Sequence, residues 1–401
     1  MNIVLAVNGK FHHFDLAREL YGHGALRAIF TSYPRFKLHD ERIPDTLVHS
    51  YPYWHAPYMA FRHRHLLGTR LLWQWELSAK LRFDGYVARR LPDCDALVAS
   101  SGSGLGSGKV AQQRGSRYVC DRGSAHIRVQ DRILREEHDR WGVHFDGIDP
   151  RIIEREEEEY AQADAITVPS TFAMDSFLEQ GVPATKLHKL PYGVDLYRFY
   201  PCALPAADRF DVLFIGGVNL QKGVPYLLEA FLQLRHPNKT LTLIGTVSPL
   251  FIAHLAKRRL WPDNVRATGH VSQDELKRWV SRSHVLVLPS VQDGFGLVVA
   301  QAMACGCPVV ATTNTGAPDL FDDGVEGFIV PPRDSTALAD RLQRLADDPD
   351  RRGGMAELAL VRTRHIMGWS AYGRAALAVY RTLMGTPPAR YLHRDTVAVS
   401  V

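Results

Sequence analysis

The run Val285-Leu286-Val287-Leu288-Pro289-Ser290-Val291-Gln292-Asp293-Gly294-Phe295-Gly296-Leu297-Val298-Val299-Ala300-Gln301-Ala302-Met303-Ala304 decides the fold. It opens on four apolar residues, which read as a buried strand. A proline and serine end that strand, and a turn through Asp293-Gly294-Phe295-Gly296 follows. The chain then continues as a helix of small and apolar side chains. Glycines at a strand-to-helix turn expose backbone N–H groups, and the helix N-terminus adds partial positive charge, so the turn is built as a phosphate cradle. Asp293 on the turn offers a carboxylate to sugar hydroxyls. Gln301, two helical turns on, offers an amide to a ribose diol.

Working outward, the same alternation fills the chain. Strands are expected at Ile3–Val7, Leu26–Phe30, Ala96–Ala99, Arg117–Cys120, Ala165–Val168 and Lys186–Leu190. A second series runs through Asp211–Ile215, Thr240–Ile244, Val265–Thr268, Val285–Leu288, Pro308–Ala311 and Gly327–Val330. Helical stretches lie between most of them. The class is therefore α/β, with two doubly wound Rossmann-like domains facing across a cleft. The pattern breaks at Tyr200-Pro201-Cys202-Ala203-Leu204-Pro205. This gives a first domain over 1–200, a second over 206–368, and a last helix and tail over 369–401 that return to the first domain.

Composition agrees. The chain has 401 residues, 46% of them hydrophobic and 23% charged, enough for two cores and unlike a disordered or fibrous chain. Its five cysteines are scattered and odd in number, which favours reduced thiols over a disulfide framework. Cys305 and Cys307 have no partner pair for a zinc site. The N-terminus, Met1 to Asn8, reads as a first strand rather than a signal peptide. The uncharged stretch from Gly294 to Asp319 is long enough to test as a membrane span. Its Gln301, Gly306, Pro308 and Asn314 read better as helix, turn and strand in a core.

Net charge is +5. In 51–90 the only acidic residues are Glu76 and Asp84, among arginines, Lys80, Tyr53, Trp54, Trp73 and Trp75. Such a mixture suits an anionic membrane surface or single-stranded nucleic acid. It equally suits a solvated helix face with aromatics in the core. No recognised nucleic-acid motif accompanies it, so a nucleic-acid partner is not expected. The acidic run Glu154 to Glu159, after Asp149-Pro150, reads as charge complementing the start of a helix.

The stretch from Pro289 to Ala311 closely resembles the family 4 glycosyltransferases of GT-B architecture. Their hallmark is Pro-Ser-x-x-Glu-Gly-Phe-Gly, followed by a second glutamate eight residues after the first and then Ala-Met-Ala-x-Gly-x-Pro-Val-Val-Ala. This chain has Pro289-Ser290, Asp293-Gly294-Phe295-Gly296 and Gln301-Ala302-Met303-Ala304-Cys305-Gly306-Cys307-Pro308-Val309-Val310-Ala311. Gly316-Ala317-Pro318-Asp319 and Asp323-Gly324 continue the match, and Pro191-Tyr192-Gly193-Val194-Asp195 resembles the segment entering the second domain. Both glutamates are replaced, by Asp293 and Gln301.

The resemblance implies a retaining transfer from a UDP- or GDP-linked sugar, with no further cofactor, and since no metal cluster or DxD-type site stands where one is needed, metal independence is expected. Its acceptor would be a glycan or lipid-linked glycan of cell-surface or extracellular polysaccharide, met in the cytoplasm or peripherally at the inner membrane face. The donor's own phosphate oxygen would take the acceptor proton. Gly9, Gly216, Gly217, Lys222, Thr246, His270, Val271, Asp293, Gly294, Phe295, Gly296, Leu297 and Gln301 would bind the donor. Gly217 stands where relatives carry an arginine. Asp121, Arg122, His126, Lys222 and Asp293 would serve catalysis. Lys222 also reads as a loop cap, and Asp121–Arg122 as a structural ion pair. His12 and His13, after the Gly9 turn, read as site residues, as a cap or as surface groups. The replaced glutamates keep a second class open, a non-catalytic nucleotide-sugar-binding or partner-binding protein on the same fold.

One stretch imitates a P-loop. Gly104-Leu105-Gly106-Ser107-Gly108-Lys109-Val110 has Ser103 and Val110 where the motif needs Gly and Ser or Thr. It reads as an anion site for an acceptor phosphate or as a permissive turn.

Overall fold

The computed structural model describes residues 1–61, 67–366 and 368–385. The strands are β1 (Ile3–Val7), β2 (Leu26–Thr31), β3 (Val48–Ser50), β4 (Ala96–Ser100), β5 (Arg117–Asp121), β6 (Ala165–Val168), β7 (Leu187–Lys189), β8 (Phe210–Ile215), β9 (Lys239–Ile244), β10 (Val265–Gly269), β11 (Val285–Leu288), β12 (Val309–Thr312) and β13 (Gly327–Val330). The first-domain helices are α1 (His13–Gly22), α2 (His55–Ala60), α3 (Thr69–Arg90), α4 (Leu105–Gln113), α5 (Ile127–Trp141), α6 (Pro150–Gln162) and α7 (Thr171–Glu179). Those after it are α8 (Val224–Gln233), α9 (Pro249–Lys257), α10 (Gln273–Ser281), α11 (Leu297–Ala304), α12 (Ala317–Leu320), α13 (Ser335–Asp347), α14 (Pro349–Ile366) and α15 (Trp369–Leu383).

Each expected strand forms, to within one residue at either end. The exception is β3, which the sequence reading missed. It has three residues, two of them His49 and Ser50, so no apolar run announces it. The buried strands form because they satisfy both faces of a sheet. All four residues of β11 are at most 1% exposed, as expected for a strand covered by helices on both sides.

The first sheet has seven strands in the order β3-β2-β1-β4-β5-β6-β7, and the second has six in the order β10-β9-β8-β11-β12-β13. Every pairing within them is parallel. Chain order reverses beside β1 and β4 in one sheet and beside β8 and β11 in the other. Those reversals open crevices at the carboxyl ends of the strands, where such sheets take ligands.

The two crevices face each other. The turn after β11 abuts the loop after β5 so closely that a Cβ on Gly294 would lie 2.0 Å from the Gly123 carbonyl oxygen. Ser170, just after β6, donates its hydroxyl to the Gly294 carbonyl at 2.6 Å, and Gln292 donates to the Ser124 hydroxyl at 2.6 Å. Asp319, from α12, accepts from the Thr171 backbone at 2.7 Å and so caps α7 of the other domain. On one flank, Glu137 of α5 accepts from Tyr226 of α8 at 2.7 Å and from Arg333 at 2.7 Å.

After α14 the chain recrosses. Gly368 bridges Val194, and a Cβ on Gly193 would lie 2.7 Å from the Trp369 backbone. α15 then packs on α1, where Gly373 meets Glu19. Tyr372, Ala376, Leu377 and Tyr380 of α15 join the same apolar cluster as Phe14, Ala17 and Leu20 of α1. The tail 386–401 lies outside the described residues.

Candidate active site

The strand β11 ends at Leu288, and the chain must leave it sharply to enter α11. Gly296 makes this possible at φ 79°, with Leu288 so close that a Cβ would lie 2.3 Å from its methyl group. Asp293 sits in the turn, where its carboxylate accepts from the Phe295 backbone at 3.3 Å. Lys222 arrives from the loop after β8 and places its ammonium 2.5 Å from Asp293 Oδ2. That loop is held against the β11 end by Gly223, at φ 66°, where a Cβ would strike the Pro289 carbonyl oxygen at 1.9 Å.

A cavity of about 230 Å³ lies over this pair. Gly216, Lys222, Asp293, Phe295, Gly296 and Leu297 line it from the second domain, with Gly123 and Tyr192 opposite. The Tyr192 ring meets Phe295 edge-on at 5.1 Å. Thr246 and His270 follow β9 and β10 and bond each other at 2.7 Å on the exposed rim of the second domain. Val271 beside them packs on the core. Gly217 lies against the Asn219 side chain, and no arginine stands among the described residues that line the cavity. Gln301 is half-buried on α11, and its amide has no hydrogen-bond partner among the described residues.

A second cavity, of about 290 Å³, lies between α5, α7 and Arg333. Its charges pair among themselves, Arg132 with Glu179 at 3.0 Å and Arg333 with Glu136 at 3.3 Å. It contains none of the site residues expected from the sequence, whereas Gly216, Lys222, Asp293, Phe295, Gly296 and Leu297 among them line the first cavity.

The first-domain residues divide. Gly9, at φ 130°, turns the chain out of β1, and its carbonyl accepts from Thr31 at 2.6 Å. Asp121 closes β5 and is 6% exposed. His12 Nε2 lies 2.9 Å from its Oδ2 and His13 Nε2 3.2 Å, while Thr167 donates to Oδ1 at 2.5 Å. Burial works to raise the Asp121 pKa, but His12, His13 and Thr167 outweigh it and bring it down to about 2. The ligand atoms of His12, His13 and Asp121 lie within 4.8 Å of one another, the one such grouping among the described residues. The sequence reading named all three without joining them, because 108 residues separate His13 from Asp121 in the chain.

Arg122 turns away from the cavity. It donates to Glu156 at 2.6 Å, Gln130 at 2.6 Å, Ser101 at 3.0 Å and the Ala125 carbonyl at 3.0 Å, a buried ion pair. His126 caps α5 by accepting from the Arg128 backbone at 3.3 Å, and its ring packs between Tyr160 and Phe177. Burial lowers its pKa to about 4. Neither side chain lines the cavity.

The P-loop imitation is filled from within. Glu159 accepts from the backbone of Gly102, Gly104 and Leu105 at 2.5–3.0 Å, and Asp84 accepts from Gly106 and Ser107 at 2.6 and 2.8 Å. The carboxylates occupy the place an acceptor phosphate would need, so the anion-site expectation is set aside. The acidic run is likewise corrected. Glu156 and Glu159 lie inside α6 as buried partners of Arg122 and the α4 turn, rather than as charge at a helix start.

Residues 209–348, which hold β8 to α13, match the family description Glycosyl transferases group 1. The second domain belongs to the glycosyl transferases of group 1. The D-inositol 3-phosphate glycosyltransferase of Xylanimonas cellulosilytica is 31% identical to this chain over 255 residues, 59% of this chain and 61% of that one. The alpha-D-kanosaminyltransferase of Streptomyces kanamyceticus is 30% identical over 216 residues, 50% of this chain and 56% of that one. The chain thus spans about half to three-fifths of the curated relatives it matches. Among solved structures, a sucrose-phosphate synthase of Thermosynechococcus elongatus superposes with a TM-score of 0.72 at 22% identity, covering 96% of this chain and all of that one. HepE of Anabaena, solved with UDP and glucose, gives 0.70 at 17% identity, covering 95% of this chain and all of that one. The group 1 domain and its partner therefore form a GT-B fold, as the sequence resemblance implied.

Proposed function

We propose that this protein is a glycosyltransferase that moves a sugar from a UDP- or GDP-linked donor to a glycan or lipid-linked glycan. The observation that carries this reading is the Lys222–Asp293 pair beside the glycine turn of α11, on a group 1 domain whose crevice faces a second one. Lys222 and the Gly294–Gly296 amides would surround the diphosphate. Charge developing on the leaving group would be met by a cation already in place, which lowers the barrier without reorganisation. Asp293 would hold the sugar hydroxyls and Gln301 the ribose. At about 230 Å³ the cavity suits a sugar diphosphate, so the nucleoside would extend along the rim towards Thr246 and His270. The bound UDP and glucose of HepE support the donor class.

Retention of configuration and independence from a metal ion belong to the same proposal, as does an acceptor in surface polysaccharide assembly. Exposed Tyr53, Trp54 and Met59, in and beside α2, and Leu71 of α3 favour work at a membrane face on the cytoplasmic side. Within the 51–90 stretch, residues 62–66 lie outside the described residues. No helix among the described residues is long and apolar enough to cross a membrane.

A thermal-shift series against UDP-, GDP-, ADP- and dTDP-sugars tests the reading, followed by nucleotide release and product NMR with and without EDTA. Stabilisation that grows with one nucleotide family names the base. Release of that nucleotide, with the anomeric configuration kept, supports transfer with retention. Binding without release favours the non-catalytic reading, which the replacement of both family glutamates motivates. No binding to any of them removes the donor site.

A further inference from the structure

Lys222 and Asp293 stand on separate loops, so something outside each loop must set the distance between them. The side chains that do so lie one position back in each. Gln221, just before Lys222, donates its amide to Gln292 Oε1 at 2.7 Å, and Gln292 is the residue just before Asp293. The Gln221 carbonyl also accepts from the Val291 and Gln292 backbones at 2.9 and 3.3 Å. The other end of the Gln292 amide donates to the Ser124 hydroxyl at 2.6 Å, and Ser124 follows Gly123, a first-domain wall of the cavity. One side chain thus ties together the neighbours of Lys222, Asp293 and Gly123.

Gln292 is fully buried. A carboxamide offers a donor and an acceptor in one planar group, which is what this position uses. Water does not readily replace either bond at such a site, so losing the amide either leaves Gln221 and Ser124 unsatisfied or lets the loops move. The same loops are seated on the first domain from behind. Leu220, two residues before Lys222, and Val291, two before Asp293, share a buried apolar cluster with Val129, Ile133 and Trp141 of α5. The family hallmark leaves the position before its first glutamate unspecified, so nothing in that pattern asks for glutamine at 292.

We propose that Gln292 is a positioning residue for sugar transfer, which through Gln221 and Ser124 holds the Lys222–Asp293 pair in register with the first-domain wall. This rests on the glycosyl-transfer reading above. Gln292 acts through its neighbours and meets no substrate itself. Misplacing a reacting group by about 1 Å costs up to about 10²-fold in rate. Binding of the nucleotide, spread over many contacts, changes far less. The clamp therefore governs kcat more than donor affinity, and it ties the working geometry of the donor site to the docking of the two domains.

The test uses the full chain, with UDP-glucose and GDP-mannose as donors and water as acceptor, scored by nucleotide release, and with UDP and GDP binding measured by calorimetry. Gln292→Met keeps the length of the side chain and removes both bonds. It should lower kcat about 10–100-fold while nucleotide binding stays within about threefold of the parent. Ser124→Ala, in the other domain, should lower kcat in the same sense, and Ser124→Thr, which keeps the hydroxyl, should retain the parent rate. The double variant should be no slower than Gln292→Met alone, because one bond joins the two residues. Lys189→Ala parts the ion pair with Asp319, a contact between the domains made by neither loop, and should leave kcat within about twofold. Hydrogen exchange read by mass spectrometry, with no donor present, should be faster over 219–224 and 291–296 in Gln292→Met.

A folded Gln292→Met variant within about twofold of the parent kcat would overturn the proposal, as would unchanged exchange in the two loops. So would additive losses in the double variant, or a loss in Lys189→Ala equal to that in Gln292→Met, since any weakening of the domain contact would then suffice. If Gln292→Met does not fold, Ser124→Ala and its threonine counterpart decide the matter by the same kcat readout. A parent protein that neither binds nor cleaves any donor overturns the glycosyl-transfer reading and the role in transfer with it, whereas the exchange measurement needs no donor and still shows whether Gln292 holds the loops.

Discussion

At the scale of single residues, the second-domain site rests on one cation. Lys222 is 24% exposed by side chain and already faces the Asp293 carboxylate, so it is held extended towards the cavity. Lys222→Ala is expected to lower kcat by about 10²–10³-fold, the scale of one preorganised electrostatic contact. The fold should be unaffected, because the side chain is part-exposed at the cavity and its bonded partner is Asp293. Steady-state nucleotide release alongside a circular dichroism melt checks both halves. This residue and the turn around Asp293 were legible in the sequence because they belong to short contiguous motifs. Arg122 and His126 were not. Both follow a strand's carboxyl end, where a site residue would stand, but whether such a side chain turns to the crevice or inward is decided by distant partners. For Arg122 that partner is Glu156, and for His126 the enclosing rings are Tyr160 and Phe177.

At the scale of elements, the strands were readable because buried parallel strands are apolar runs with β-branched residues, and β3 was not because it is too short and polar to make one. The α4 turn misled for the opposite reason. Its glycines do present a row of N–H groups, as the pattern says, but Asp84 and Glu159 fill it, and no local spacing reports a carboxylate about fifty residues further along the chain. The α11 turn carries a second constraint beyond binding. Gly294 is glycine because the other domain's backbone lies against it. Gly294→Ala should leave each domain folded but hold the two crevices apart, with kcat falling further than donor affinity. Nucleotide release, set against binding by calorimetry, would detect this. Equal losses in both would mean that the substitution damaged the donor turn itself.

At the scale of the whole molecule, stability should depend on pH with a sign that can be worked out. Burial lowers the pKa of His13 to about 3 and of His55 and His126 to about 4. The unfolded chain takes up protons at these groups below about pH 6.5, whereas the folded state does not. The stability they permit is whole above that value and is lost as pH falls towards 4. Glu159 runs the other way. Burial and the neighbouring Glu156 raise it to about 7, so it adds stability at low pH that is lost as pH rises from about 4.5 to 7. Asp15, which burial raises to about 6, acts with Glu159, whereas His49, His188 and His284, also lowered by burial, and Asp121, held down to about 2 despite its burial chiefly by His12, act with the three histidines, so the balance is a net loss on acidification. The urea midpoint should therefore be lower at pH 5 than at pH 7.5, and the reverse order would show that Glu159 and Asp15 outweigh the histidines. The crossing of α15 has a mechanical consequence as well. The polypeptide passes between the domains twice, and the two passages are stitched side by side at Gly193–Trp369 and Val194–Gly368. Two tethers fastened at a single place make a pivot: they resist sliding and torsion but leave rotation about their common line cheap. Any opening of the crevices therefore turns about that line, and it must first part the contacts from Ser170 to Gly294, from Thr171 to Asp319 and from Glu137 to Arg333.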